Sequence, residues 1–256
     1  MRPEVDFAGR QISGSRETQD DYYAFCPLER EVDGVEGLLL VLADGMGGYH
    51  GGALASRLVV EAFAEHFYLC RGTIPERLYS SLHAADLRLK EEISRQEELS
   101  EMGSTLVGAV CTQGALHWAS VGDSGLYLFR GGEVRRINAD HSMAPVIKEL
   151  VNRGEISEAD AAKHPQRNVL RSALSREPLK LFEVTEEALT LAPHDIVVAA
   201  SDGLASLGEE DFLSKLESNR LAPASRIAEA LLIGVNEQRA KKQDNATVAV
   251  VRPPEN

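Results

Sequence analysis

The chain has 256 residues, 43% of them hydrophobic, which is enough for a substantial buried core. Acidic residues outnumber basic residues by 40 to 27, and the formal net charge is −13. This balance disfavours nucleic acid or an anionic membrane as the main partner, because both carry negative charge. No apolar signal core or membrane-length run is present, and three cysteines without paired spacing indicate no disulfide framework. We therefore expect a cytoplasmic protein.

Apolar runs rich in β-branched or aromatic residues predict β-strands along the chain. They cover 22–25, 38–43, 105–111, 116–121, 126–129, 181–184, 196–200 and 247–251. Between 104 and 137 the runs are separated only by QG, GDSG and RGGE, which are short turns that favour antiparallel hairpins. The runs 38–43 and 196–200 are apolar at nearly every position, which indicates strands covered on both faces.

Helical periodicity follows the first strands and returns near the end of the chain. Apolar residues recur at helical spacing over 54–67, 74–93 and 227–235. The stretch from 142 to about 180 is different, because it is polar, partly helix-forming and poor in strand signals. No repeat or linker-like run divides the chain. We predict one α+β domain over 1–256: two packed antiparallel β-sheets flanked by α-helices, with an insertion at about 142–180 over one edge.

Aspartates stand at the ends of the predicted strands. Asp44, Asp123 and Asp202 each close an apolar run, whereas Asp20, Asp21 and Asp244 each precede one. A single Asp-Gly after a strand is usually a plain turn, so the recurrence carries the argument. Strand ends and strand starts meet at one edge of an antiparallel sheet. Such a group of carboxylates, without a His or Cys cluster, favours a hard cation such as Mg²⁺ or Mn²⁺.

The glycine-rich loop after the run 38–43 has two interpretations. Backbone amides in such loops can cradle phosphate, but no Lys-Ser/Thr follows the glycines, and the spacing is not GxGxxG. Phosphate binding by the amides of this loop alone is therefore the less favoured interpretation. Glycines also let main-chain carbonyls approach a metal closely, and the later glycines lead into a helix from about Ala53. Arg16, in GSRETQDDYY, could hold a phosphate through two hydrogen bonds, although a lone arginine is more often a surface residue.

The order of these motifs carries a family resemblance. Arg16 with QDD (19–21), ADGMGG (43–48), MGST (102–105), SVGDSGLY (120–127), DHS (140–142), ASDGL (200–204) and DNATVAVV (244–251) resemble the metal-dependent protein phosphatases of type 2C. The resemblance spans about 16–251. It implies a four-layer α-β-β-α sandwich with a pair of Mg²⁺ or Mn²⁺ ions on one edge and a helical flap at about 142–180.

The resemblance also implies a set of metal ligands. Asp44 would bridge the two ions, and Gly45 would add its carbonyl oxygen. Asp202 and Asp244 would complete the shell of the first ion. Asp44 is therefore the residue to which the resemblance assigns the central catalytic role.

Four further residues take roles from the same resemblance. Asp20 falls at the second ion, and Asp21 matches the acid that holds water at the metals. Asp123, together with Asp202, matches the place where bacterial members bind a third ion. Arg16 matches the arginine that binds the substrate phosphate, and we count it among the catalytic residues.

Two positions depart from the family pattern. Many eukaryotic members have His after Asp-Gly, but this chain has Met46, whose thioether cannot donate a proton to the leaving group. His50 lies nearby in sequence, where a local surface role is the simpler interpretation, and His141 is expected to order a turn. Gln19 stands where bacterial relatives often have Asn.

The implied function is metal-dependent hydrolysis of phosphoserine and phosphothreonine in proteins, by a monomer that opposes a eukaryotic-like bacterial Ser/Thr kinase and acts on its targets. Two alternatives stay open at this point: a non-catalytic phosphopeptide- or metal-binding module of the same fold, and a hydrolase of small phosphoesters. The acidic charge of the chain favours basic residues around the target phosphosite.

Overall fold

The computed structural model describes residues 1–30 and 36–253, and their strands form two antiparallel sheets. The first sheet has the spatial order β1 (Phe7–Ile12), β13 (Ala246–Val251), β12 (Ile196–Ala200), β7 (Gly125–Arg130) and β8 (Glu133–Arg136). The second contains β2 (Asp21–Leu28), β3 (Gly37–Met46), β5 (Leu106–Thr112) and β6 (Ala115–Val121). Four two-residue strands extend it: β4 (Gly103–Ser104), β9 (Leu174–Ser175), β10 (Glu183–Val184) and β11 (Leu189–Thr190).

Helices cover the outer faces of both sheets. The helices are α1 (Gly48–Leu69), α2 (Ile74–Arg95), α3 (Ala144–Asn152), α4 (Glu158–Ala162), α5 (Glu209–Ser218) and α6 (Ala224–Glu237). Short 3₁₀ helices span Glu97–Leu99 and Asp202–Leu207. Within the residues that the structure describes, no helix is long and apolar enough to cross a membrane.

Strand β3 shows why the apolar runs have no polar positions. Leu38, Leu40 and Leu42 pack between the two sheets, whereas Leu39 and Val41 pack against α1 and α2. Because side chains alternate along a strand, both faces of β3 are buried, by the other sheet on one side and by helices on the other. The helices α5 and α6 cover the outer face of the first sheet in the same way. The predicted α-β-β-α sandwich is therefore confirmed.

One of the three hairpins predicted from the short turns is wrong. The pair β5–β6 and the pair β7–β8 are hairpins, as the QG and RGGE turns predict. The GDSG stretch does not close a hairpin, because β6 pairs within the second sheet whereas β7 pairs with β12 in the first. It crosses from one sheet to the other and carries Asp123 at the crossing.

Other boundaries also differ from the prediction. Helix α1 begins at Gly48 rather than near Ala53, so the loop glycines are part of the helix. The predicted strand at 181–184 is reduced to β10, and β1, β8 and α5 were not predicted. Short or polar elements give a weak periodic signal, and β1 and β8 are made into strands by the neighbours that they pair with.

The insertion at about 142–180 is joined to the sandwich at both ends. It contains α3, α4 and β9, and a bridge between Ser142 and Leu170 closes its base. Strand β9 pairs with β4, and β4 pairs with the last residues of β3. Leu174 of β9 is fully buried in the core beneath α1 and α2. The insertion is thus connected by hydrogen bonds to the strand that carries Asp44.

Candidate functional site

A cavity of about 900 Å³ opens at the edge where the two sheets meet. Its lining includes all but one of the residues predicted for the site: Arg16, Asp20, Asp44, Gly45, Asp123, Asp202 and Asp244. The remaining residue, Asp21, is buried and pairs directly across from Asp44 on the neighbouring strand. The six aspartates, Asp20, Asp21, Asp44, Asp123, Asp202 and Asp244, are called the acidic corner below.

Asp44 lies near the end of β3, on the face that the strand turns toward the other sheet. Its backbone N–H donates to Thr105 Oγ1 at 2.9 Å, and its carbonyl accepts from the Thr105 N–H at 2.9 Å. The Thr105 hydroxyl also hydrogen-bonds the Ser124 hydroxyl at 2.7 Å. Asp44 therefore has a fixed backbone at the point where the apolar interior of the sandwich ends.

Asp21 joins the two sheets beneath the cavity. The Ser201 hydroxyl, from the first sheet, donates to Asp21 Oδ2 at 2.7 Å and accepts from the Thr247 N–H at 2.9 Å. The other carboxylate oxygen, Oδ1, is buried and has no hydrogen-bond partner among the described residues. Burial raises the pKa of Asp21 to about 6, and the negative charge of Asp202 adds to the rise.

The loop that carries Asp20 is held by Asn245. The Asn245 Oδ1 accepts from the Asp20 N–H at 2.7 Å, and its Nδ2 donates to the carbonyls of Ser13 and Thr18, each at 2.9 Å. The Gly45 N–H donates to the Asp20 carbonyl at 3.0 Å. One amide side chain therefore fixes the position of Asp20 beside Gly45.

Two glycines allow the α1 helix to approach this loop. A Cβ on Gly45 would lie 1.9 Å from the Gly52 carbonyl oxygen, and a Cβ on Gly52 would lie 2.8 Å from Asp20 Cγ. Both distances are far shorter than van der Waals contact. Close packing of α1 against the acidic corner therefore requires glycine at both positions.

Asp202 and Asp244 come from the first sheet. Asp202 begins the 3₁₀ helix after β12, where a Cβ on Gly203 would lie 1.9 Å from the Asn245 carbonyl oxygen. Protein surrounding the carboxyl, with the neighbouring charge of Asp244, raises the pKa of Asp202, although the residue as a whole is exposed. Arg16 Nη2 donates to Asp244 Oδ2 at 2.7 Å.

Asp123 lies on the crossing between β6 and β7. Arg136 Nη2 donates to its backbone carbonyl at 2.9 Å and so fixes the crossing. Burial raises the pKa of the Asp123 carboxyl to about 6, and the charges of Asp202 and Asp140 contribute further. Asp123 is therefore part of the same field of crowded negative charge.

The electrostatics of the corner are most extreme at Asp44. Burial, followed by the charges of Asp21 and Asp202, raises the pKa of Asp44 well above its ordinary range. Asp44 and Asp202 line the same cavity, and the negative charge of Asp202 opposes ionisation of Asp44. Such a carboxyl pair retains a proton readily, because two adjacent negative charges repel.

The donor set fits a hard divalent cation. The cavity lining offers carboxylate, carbonyl and hydroxyl oxygens, and its described side chains include no His or Cys. The orphaned Asp21 Oδ1 and the mutual repulsion of the carboxylates would both be relieved by positive charge. Across residues 1–30 and 36–253, no three acidic, His or Cys side chains form a preassembled cage. Side-chain rotation would be needed at Asp244, because its carboxylate accepts a hydrogen bond from Arg16.

Comparison with known proteins settles the family. Residues 8–243 match the family model for protein phosphatase 2C. The chain belongs to the protein phosphatase 2C family. The serine/threonine phosphatase Stp of Listeria innocua is 28% identical over 218 residues, covering 83% of each chain.

Two solved structures resemble this phosphatase over nearly its whole length. The serine/threonine phosphatase PstP/Ppp of Mycobacterium tuberculosis gives a TM-score of 0.81 at 27% identity, covering 98% of this chain and 99% of that one. The catalytic domain of PstP, solved with two manganese ions, gives 0.77 at 26% identity over 97% of each chain. The predicted family, fold and enzyme class, a serine/threonine protein phosphatase, are therefore confirmed.

Several residues of this phosphatase support the site without having been predicted to do so. Ser201, Asn245, Thr105 and Ser124 each hydrogen-bond another part of the corner, and Glu17 lines the cavity. Most of them lie inside the quoted motifs, beside the aspartates. Their position beside the aspartates in the sequence indicates that they lie near the site. Their hydrogen-bond partners, however, depend on which strands become neighbours in the fold.

The histidines and the insertion residues take minor positions. His141 accepts a backbone hydrogen bond from Arg171 and donates one to the Gly122 carbonyl, so it orders the turn as predicted. The side chain of His50 lies outside the described residues. Asn168 of the insertion lines the cavity, and Arg171 has an exposed side chain.

Proposed function

We propose that this phosphatase hydrolyses phosphoserine and phosphothreonine in proteins with two Mg²⁺ or Mn²⁺ ions held by the acidic corner. One observation carries the proposal: aspartates that lie far apart in the sequence come from both sheets and converge on one cavity. Burial and the charges of its neighbours there raise the pKa of Asp44. Bringing such charges together is costly unless a cation compensates them.

The residues divide into ligands and supporting groups. We assign Asp44 as the ligand shared by both ions, with the Gly45 carbonyl, Asp202 and Asp244 at the first ion and Asp20 at the second. Asp21 is assigned to hold a water through its unpartnered Oδ1. Asp123, with Asp202, would hold a third ion. When bound, the ions neutralise phosphate charge and favour in-line attack by water.

Arg16 is assigned to bind the substrate phosphate. Its guanidinium group forms an ion pair with the Asp244 carboxylate. A cation held by Asp244 would weaken this ion pair, and the guanidinium group could then donate two hydrogen bonds to the phosphate. Met46 lines the cavity but has no proton to donate, so the leaving group takes its proton from another donor.

The wider setting is also part of the proposal. We propose that residues 1–256 act as one monomeric catalytic unit in the cytoplasm, with 142–180 as a flap beside the cavity. The phosphoprotein targets are those of a bacterial Ser/Thr kinase of the eukaryotic-like type. Support comes from the bacterial relatives and from Asn168 and Leu170, which belong to the flap and line the cavity.

The decisive test is hydrolysis of a phosphothreonine peptide. We expect turnover with Mn²⁺, loss of turnover with EDTA, and loss of at least about a thousandfold in kcat for Asp44→Asn and Asp202→Asn. The matched control is Asp211→Asn, an exposed aspartate on α5 outside the cavity, which should retain wild-type turnover. Robust turnover with EDTA, or an active Asp44→Asn variant, would refute the proposal.

A further inference from the structure

One segment of this acidic chain carries a local excess of positive charge beside the cavity. The segment 163–176 contains four basic residues and no acidic residue, whereas the whole chain has a net charge of −13. These residues, Lys163, Arg167, Arg171 and Arg176, are called the basic strip. The overall charge would repel an acidic target, but the local charge of the strip is opposite.

The side chains of the basic strip have no partner in the described parts of the chain. All four are exposed, and none makes an ion pair or a side-chain hydrogen bond there. Two arginines elsewhere in the molecule are, in contrast, paired: Arg130 with Asp195 at 2.6 Å and Arg136 with Asp140 at 3.0 Å. Unpaired guanidinium groups keep all of their donors available to an external anion.

The strip lies at the rim of the catalytic cavity. Asn168 and Leu170, which are interleaved with Arg167 and Arg171, line the cavity together with Asp44 and Asp202. The backbone here is fixed to the body of the protein. The Arg171 N–H donates to the His141 carbonyl at 2.8 Å, and the Met143 N–H donates to the Val169 carbonyl at 2.9 Å. The basic residues Arg167 and Arg171 are therefore sequence neighbours of residues that line the cavity.

We propose that the basic strip selects phosphoprotein substrates that have anionic groups beside the target phosphoresidue. The proposal rests on the proposed function, because it concerns the substrate of that same site. The anion is either an aspartate or glutamate carboxylate or a second phosphate, since both accept paired hydrogen bonds from arginine. This reverses, at the cavity rim, the preference for basic neighbours that the total charge favours.

The test compares short phosphothreonine peptides that differ only in the flanking residues: two Asp, one further phosphothreonine, two Ala or two Lys. We expect kcat/KM for the wild type to be about tenfold higher with two Asp than with two Ala, from two exposed ion pairs of roughly twofold to fivefold each. The Lys-flanked peptide should be the poorest. If kcat/KM is higher for the peptide with a second phosphothreonine than for the peptide with two Asp, phosphate is the preferred anion. The reverse order identifies carboxylate.

The variant Arg167→Glu/Arg171→Glu should reduce the ratio between the Asp- and Ala-flanked peptides to about one or below. The control Arg220→Glu/Arg226→Glu changes the net charge equally at two exposed arginines near α5 and α6, and should keep the wild-type ratio. If the reversed variant unfolds, Arg167→Ala/Arg171→Ala replaces it. Salt supplies a readout without mutation, because the wild-type ratio should fall between about 0.05 M and about 0.5 M NaCl.

The outcomes separate this proposal from the proposed function. If no peptide is hydrolysed, the proposed function fails, and anisotropy with labelled peptides and the Asp44→Asn variant still measures whether the strip prefers Asp-flanked sequences. A wild type that prefers Ala- or Lys-flanked peptides overturns the strip proposal. Equal loss on all peptides in the reversed variant overturns it as well, since that pattern marks a structural role.

Discussion

The acidic corner and the insertion at 142–180 border the same cavity but are built in opposite ways. The corner collects residues from Asp20 to Asp244, brought together by strands of both sheets, and its neighbouring negative charges repel each other at Asp44. The basic strip of the insertion lies in one short segment, is exposed, and has no side-chain partner in the part of the chain that the structure describes. Chemistry that needs several fixed oxygens depends on long-range folding, whereas recognition by charge can be carried by a single surface segment.

The largest expected effect tests how firmly the insertion is attached. Leu174 is fully buried in the core, so Leu174→Ala should reduce the free energy of unfolding by about 2–5 kcal/mol in urea titrations. Val169→Ala is the control, because Val169 is 51% exposed, and a change of less than about 0.5 kcal/mol is expected. A loss below about 1 kcal/mol for Leu174→Ala would mean that the insertion is held elsewhere.

The next effect tests the repulsion within the corner. The folded pKa of Asp21 is about 6, above the ordinary 3.8, so the folded state binds its proton more tightly than the unfolded state does. Ionisation of Asp21 therefore reduces stability as the pH rises through this range. With EDTA, Asp21→Asn should be more stable than the wild type by up to about 3 kcal/mol at about pH 7.5.

The same variant has two internal controls. The difference in stability should disappear at about pH 3 and below, because the wild-type carboxyl is then protonated in both states. Added Mn²⁺ should stabilise the wild type more than Asp21→Asn, in thermal melts followed by circular dichroism. If the wild type is more stable than Asp21→Asn with EDTA at about pH 7.5, ionisation of Asp21 does not destabilise the folded protein.

A smaller effect tests the packing of α1 on the corner. Gly52→Ala forces a Cβ against Asp20 and the Gly45 carbonyl, and should cost about 1–3 kcal/mol and reduce Mn²⁺ affinity about tenfold. Gly51→Ala is the matched control, because its Cβ would lie 3.7 Å from the nearest atom, of the Met102 side chain. Alanine should there stabilise the helix by roughly 0.5–1 kcal/mol. Mn²⁺ affinity is measured by calorimetric titration. Equal affinities for Gly52→Ala and Gly51→Ala would refute this packing.

The smallest effect concerns Met46, where the corner and the insertion meet. Met46 pairs with Gly103 of β4, whose other neighbour is β9 of the insertion. Since a thioether donates no proton, Met46→Leu should change kcat on a phosphothreonine peptide by less than about threefold. A loss of a hundredfold or more would assign Met46 a role in the reaction that its chemistry does not predict.

The sequence was sufficient to predict the family, the sandwich and the aspartates of the corner. An acid directly after an uninterrupted apolar run, as at Asp44 and Asp202, marks a point where a buried strand leaves the core. The supporting contacts were beyond reach, because Ser201 contacts Asp21 and Arg16 contacts Asp244 only through the final arrangement of the strands.

Two local errors have a common cause. The GDSG stretch has the residues of a hairpin turn, and the glycines of α1 have the poorest helix propensity after proline. In both places tertiary packing decides the outcome: β7 finds its partner in the other sheet, and α1 needs glycine for close approach to Asp20. Local propensity cannot show either requirement.

The two-residue strands β4 and β9 divide the molecule into parts that can change separately. We expect that the segment from Ser142 to Leu170, whose ends are joined by a bridge, can be exchanged for that of another phosphatase. Strand β4 would keep its pairing with Gly45 and Met46. Such a chimera would carry a new set of target preferences on an unaltered hydrolytic centre. Selection acting on substrate preference would then change one short surface stretch and leave the arrangement of the carboxylates as it is.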